Sequence, residues 1–164
     1  MVSIEDIPAE QRWEIAARAA SAIPLAFDIA FREAVGEKYD EIERSIYIEA
    51  GKEIKDLASA LGLPTGNARE IDETLEIILT ILYGPEFEGE ITEEGDDRTV
   101  GKTTKCAMLN RVVEMGLDPQ VVLTACQTYH KSAVENLNPG FTIQVNKSMC
   151  GGDPYCEMVI ERRK

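Results

Sequence analysis

A chain of 164 residues buries well over half of the surface its unfolded form exposes, so this one needs neither a metal nor a disulfide merely to stay folded. Its apolar content, 44%, is that of a globular protein. The start MVSIEDIPAEQRW lacks the basic and apolar regions of a signal peptide, and no stretch approaches the roughly 18 apolar residues of a spanning helix, so a soluble cytoplasmic protein is expected. The net charge of −13 sits entirely on residues 1–105, with 11 basic and 24 acidic side chains against 6 and 6 in residues 106–164; such a surface repels phosphate backbones and argues against nucleic acid as a partner. A solvated acidic face explains the excess, and a docking surface for a basic partner is the alternative.

The first 84 residues read as a helical subdomain. Pro8 opens a helix with Trp13, Ala16, Ala17 and Ala20 on one face. Pro24 breaks the pattern and starts a second helix, apolar nearly all round at Leu25, Phe27, Ile29, Phe31 and Ala34, as far as Gly36. Ile42, Ile46, Ala50, Ile54, Leu57 and Leu61 step by three or four along a long amphipathic helix stopped by Gly62 and Pro64. Asn67 caps the next, with Glu70 placed as in a capping box. Its inner stripe is Ile71, Leu75, Ile78 and Leu82, widened by Ile77, Leu79 and Ile81.

The character changes at Gly84-Pro85, and residues 85–164 read as an α+β subdomain. Phe87, Gly89 and Ile91 alternate with glutamates as in a half-buried strand; EEGDD turns the chain, and Arg98 to Thr104 return. A short helix begins near Cys106 with Leu109, Val112 and Val113 inward. Another begins at Asp118-Pro119 with Val122, Ala125, Cys126, Tyr129 and Ala133 on one face. Phe141 to Met149 and Cys156 to Ile160 are strands joined through GGDP. The predicted fold is α+β: an N-terminal helical bundle packed with a small antiparallel sheet of two hairpins that flank two helices.

The four cysteines and the single histidine carry the candidate chemistry. Cys126 and His130 are four apart on one helical face, a spacing at which two side chains hold one metal ion. With Cys150 and Cys156, on either side of a glycine-rich turn, they form a candidate Zn²⁺ set, although the five residues between the last two exceed the usual two to four between ligands. Strand parity points Cys156 inward and Cys150 outward unless the turn rotates it. Two other readings stay open: a Cys150–Cys156 disulfide across the hairpin, and reduced thiols that simply pack in apolar surroundings. Cys106 differs. It sits where a strand runs into a helix, near Lys102 and Lys105, where backbone N–H groups lower a thiol's pKa, so it is a candidate nucleophile.

From about Phe87 to Arg162 the chain resembles the L-2-amino-thiazoline-4-carboxylic acid hydrolase-like proteins and, more distantly, the small-molecule-binding domains named after 4-vinyl reductase. The resemblance rests on Cys106 opening a helix after a strand, on Cys126 within the following helix, and on a terminal hairpin with Gly152, Asp153, Cys156, Met158 and Ile160. It implies a pocket between sheet and helices into which the cysteines point, as metal ligands or as a nucleophile. In a hydrolase, a zinc-bound hydroxide or the Cys106 thiolate would attack an amidine-like carbon, with Asp153 or His130 moving protons. Three functions follow as expectations: a small-molecule-binding domain with a cysteine-rich, zinc-binding pocket; a thiol- or metal-dependent hydrolase of a small C–N or C–S substrate; and an interaction protein with buried reduced cysteines. The apolar run from Leu25 to Val35 is a candidate homodimer face.

Overall fold

The computed structural model describes residues 3–164. The elements follow as α1 (Ala9–Val35), α2 (Tyr39–Leu61), α3 (Ala68–Tyr83), β1 (Glu88–Glu93), β2 (Arg98–Lys105), α4 (Ala107–Glu114), α5 (Leu123–Leu137), β3 (Phe141–Lys147) and β4 (Cys156–Arg162). This is the expected α+β architecture. The strands form one antiparallel sheet in the order β1-β2-β4-β3, two hairpins joined along β2 and β4, with Thr103 opposite Cys156.

Local signals fix the helix ends. Gly62 takes a left-handed φ of 67° at the end of α2, a conformation open to glycine without a Cβ penalty. Asn67 Oδ1 accepts from the Glu70 amide at 2.9 Å and so starts α3, while the Glu70 carboxylate accepts from the Gly66 amide at 2.7 Å. The core then forms where faces meet. Ile71, Leu75 and Ile78 of α3 join Ile54 and Ala58 of α2, Tyr129 and Ala133 of α5, and Phe141, Ile143 and Ile160 of the sheet. No helix among the described residues is long and apolar enough to cross a membrane.

Several expectations are corrected. Pro24 does not divide α1, which runs unbroken through it, and only Ala17, Ser21, Leu25 and Asp28 of its 27 residues are buried. The proline costs the helix one backbone bond, the one to the Ala20 carbonyl; the buried Ser21 hydroxyl bonds back one turn earlier, to the carbonyls of Ala17 and Arg18. Trp13 is half-exposed and its indole N–H donates to the Ile81 carbonyl at 2.9 Å, whereas Ala16 and Ala20 face solvent.

The inward face of α2 is Tyr39, Glu43, Gly51, Ile54 and Ala58, so Ile42, Ile46, Leu57 and Leu61 lie outside. The reason is polar. Arg32 of α1 donates to Glu43 at 2.8 Å, to Asp28 at 3.1 Å and to Asp40 at 2.6 Å, and this clasp turns Glu43 inward. In α3, Ile77 and Ile81 are exposed, and in α4 Val113 is 64% exposed. The buried position in α4 is Arg111, held by Glu86 and Glu114.

Candidate functional site

Three short stretches deliver the four cysteines. Cys106 is the N-cap of α4, in extended backbone directly after β2. Cys126 and His130 lie one turn apart on α5, which starts behind a cap in which Asp118 accepts from the Gln120 amide. The third stretch is the β3–β4 connection. There Asp153 Oδ2 accepts from the Ser148 amide at 2.8 Å, and a single 3₁₀ turn, Met149–Gly151, follows. That turn rotates Cys150 inward, so Cys150 and Cys156 are each only 7% exposed.

All four thiols and His130 line one cavity of about 70 Å³. The rest of the wall includes Tyr47 from α2, Tyr83 from the end of α3, Phe87, Ala125 and Tyr129 of α5, and the flexible side chains of Met108 and Met149. The residues that the sequence pattern selected therefore share one hollow. The aromatic and methionine walls gave no such signal, because apolar residues at helical spacing read as ordinary core. Asp153 is exposed and outside the lining; its carboxylate closes the turn instead.

Burial governs the electrostatics. It pushes the Cys106 thiol up to about 11, and the helix-start amides of Leu109 and Met108 only partly oppose it. The depressed thiol expected at this position is thus reversed. Burial likewise pushes Cys126 to about 11 and raises Cys156; it takes Cys150 to about 12, helped by the neighbouring thiols. The Cys156 sulfur accepts from the Met149 amide at 3.4 Å. His130 is pushed below its usual value by burial. Its Nδ1 lies 2.7 Å from the Cys126 carbonyl, which only accepts, so Nδ1 carries the proton and Nε2 is bare in the neutral ring. Cys126 Sγ is 3.5 Å from the same Nδ1. At neutral pH the cavity wall therefore presents protonated sulfur, aromatic rings and a neutral imidazole.

Among the described residues no three His, Cys, Asp or Glu side chains gather as a group able to hold a metal ion; Cys126, His130, Cys150 and Cys156 share the cavity lining. The cysteines are free rather than joined in a disulfide. A second, more polar cleft adjoins the first and shares His130, Leu79 and Phe87 with it; it holds Asp72 and Glu76 of α3 and Lys102 of β2.

The thiol pKa values set a testable reactivity. Because the thiolate is the nucleophile, all four cysteines of the native protein are expected to alkylate slowly at pH 7 and to speed up as the pH rises above about 9. Unfolded chain should label at ordinary thiol rates. Mass mapping after timed iodoacetamide exposure checks this, and one cysteine labelling rapidly below pH 7 would contradict it.

No family model matches the chain, and no curated protein matches it. Solved structures do. A trafficking protein particle complex subunit 3 from Naegleria fowleri, covalently bound to palmitic acid, aligns over 92% of this chain and 96% of its own at 10% identity and a TM-score of 0.62. The phenol-responsive sensory domain of the transcription activator PoxR, with phenol, aligns over 87% and 74% at 10% identity and a TM-score of 0.55. At that identity the likeness establishes the α+β fold. Neither structure is described as a thiazoline hydrolase or a 4-vinyl reductase domain.

Proposed function

We propose that this chain binds a small, largely apolar molecule in the thiol-lined cavity. The observation that carries the reading is the lining itself: aromatic rings, methionines and four protonated thiols around one cavity, with a neutral histidine among them. The two solved structures of similar fold hold a fatty acid and phenol respectively, and these define the ligand classes to compare. Size separates them. A cavity of about 70 Å³ is roughly half of the ~150 Å³ apolar cavity that accepts benzene. A single ring enters after a modest shift of Met108 or Met149, both unbranched and easily rearranged, whereas a long acyl chain requires the walls to part. The hydroxyls of Tyr83 and Tyr129 have no hydrogen bond from a protein side chain, which suits a ligand that carries one polar group. A thiol hydrolase reading would need an ionised nucleophile, and burial keeps Cys106 protonated at neutral pH.

The test is thermal unfolding with added phenol or palmitate, followed by titration calorimetry of whichever raises the melting temperature. A ligand at a hundred times its Kd adds about 2.7 kcal/mol. Phenol is expected to stabilise the wild type. Ala125→Leu, at a buried wall position, should abolish that effect, and Met149→Ala should shift preference toward larger rings. If neither compound stabilises the protein and Met149→Ala changes nothing, the cavity is only a packing defect.

A further inference from the structure

We propose that α1 is a dimer seam and that its occupant is α1 of a second copy of this chain, running antiparallel. The helix has 27 residues and buries four of them, Ala17, Ser21, Leu25 and Asp28, along one narrow face. The opposite face is apolar over some 20 residues. At 3.6 residues per turn, Ala16, Ala19, Ala20, Ile23, Ala26, Phe27, Ala30, Phe31 and Ala34 form an exposed strip about 140° wide and about 30 Å long that contains no charged residue. Ile15 and Val35 extend its ends. The helix's exposed charges lie beside the strip; Arg18, for one, is turned toward α4, where it pairs with Glu114 at 2.7 Å.

Two features select a second copy over a different partner. Ala16, Ala20, Ile23, Phe27, Ala30 and Ala34 alternate spacings of four and three, the repeat of a coiled-coil seam. The series is also nearly palindromic about position 25, as a two-fold axis requires. An axis there sets residue i against the partner's residue 50 − i. Ile23 then meets Phe27 at the centre, Ala20 meets Ala30 and Ala16 meets Ala34 on either side, and Ile15 meets Val35 at the ends. Alanine layers let the helices approach, and Phe31, stacked on Tyr39 at 5.9 Å, covers the partner's Ala19.

The area is consistent with a reversible dimer. Ile15, Ile23, Phe27 and Phe31 are 66%, 54%, 58% and 50% exposed. With about 200 Å² for a whole aromatic side chain and less for each aliphatic one, the strip offers roughly 600 Å² per copy, against the about 800 Å² that a standard interface takes from each partner. Each copy carries a net charge of −13, so pairing through an uncharged seam works against long-range repulsion and should tighten as salt screens it.

Sedimentation equilibrium of the full chain over a range of concentrations and at low and high salt tests this. The expected result is an apparent mass that rises toward twice the chain mass, at lower concentration in high salt. Ile23→Glu with Phe27→Glu should weaken association at least tenfold while circular dichroism and melting of the monomer stay unchanged, because both side chains are exposed. A wild type that remains monomeric throughout overturns the proposal and leaves the strip to a different protein. So does a dimer indifferent to the two glutamates, or one that dissociates as salt is added.

Discussion

Gly51→Val is expected to destabilise the fold by about 3 kcal/mol or more and to abolish the ligand binding proposed for the cavity. The reason is the crossing of α2 and α5. A Cβ at position 51 would lie 2.6 Å from Ser132 Cβ, 2.8 Å from the Tyr129 carbonyl and 2.9 Å from the Ala133 amide. Two of those neighbours are backbone, so relief requires the helices to part. Separation also stretches the bond from the Ser132 hydroxyl to the Ile48 carbonyl, 2.6 Å long, which pins the same crossing. The cavity feels the change at once, since Tyr47 stands one turn before Gly51 on α2, and Tyr129 and His130 face it from α5. Gly51→Ala is the discriminating variant. Helix propensity alone predicts a gain of about 1 kcal/mol from alanine, while overpacking predicts a loss of about 1–3 kcal/mol. Urea denaturation should show a net loss. An alanine variant as stable as wild type would mean that the helices part freely and that the glycine does not set their distance.

This crossing also shows what the sequence hides. Helix and strand order was legible because punctuation is local: Gly62, Asn67, Asp118 and the EEGDD turn act on their immediate neighbours, and all four stand where the elements change. Which face of each helix turns inward was less legible, because that is settled by residues far away in sequence. Ile42 and Ile46 satisfy a helical period as well as Tyr39 and Glu43 do, yet Arg32 of α1 draws Glu43 into the clasp and sends the isoleucines out. Arg111 takes a buried place in α4 for the same reason, its partner Glu86 lying 25 residues earlier. Where an apolar stripe competes with a paired charge, periodicity alone gives the wrong face.

The candidate site divides in the same way. Cys126 and His130 were legible as a pair because i and i+4 share a helical face, and Cys156 because strand parity fixes its side. Cys150 was not, since a 3₁₀ turn breaks parity at that point. Position suggests an activated Cys106, but the sign of its pKa shift depends on how much water the fold removes, and the walls of its cavity include residues from distant helices, Tyr47 and Tyr83. Asp72 carries almost no signal in the sequence. Its faint signal was Gly101 in β2, since a glycine inside a strand marks a close approach. A Cβ there would meet the Asp72 carboxylate oxygens at 3.0 and 3.2 Å.

Asp72→Asn is expected to stabilise the protein at pH 8 by about 2–4 kcal/mol and to change little at pH 4. Burial, reinforced by Glu76 and Glu73 on the same helix, pushes the Asp72 carboxyl from 3.8 up to about 7; nearby His130 opposes it weakly, and no hydrogen bond offsets the loss of water. Lys102 and Glu90 complete the cleft, paired with each other at 2.9 Å. Because the folded value lies above the unfolded one, the folded chain holds this proton more tightly. The resulting stability is fully present below about pH 4 and is lost as the pH rises through about 7. A rise of that size corresponds to about 4 kcal/mol at most, since each pKa unit is worth 1.36 kcal/mol. Glu43, raised to about 7 by burial, titrates in the same window. His130, depressed by burial, acts in the opposite sense and costs stability as the pH falls through its folded value. The Glu43 contribution persists in the variant, and that of His130 loses only the weak pull of the Asp72 carboxylate, so the difference between wild type and Asp72→Asn across pH reports mainly Asp72. Denaturation curves at pH 4, 6 and 8 should therefore converge at the acid end and separate at the alkaline end. Ligand affinity should stay unchanged, because Asp72 lies in the adjoining cleft and not on the cavity wall. If the asparagine variant differs from wild type by the same amount at every pH, Asp72 titrates alike in the folded and unfolded chain and its charge is not what the cleft disfavours.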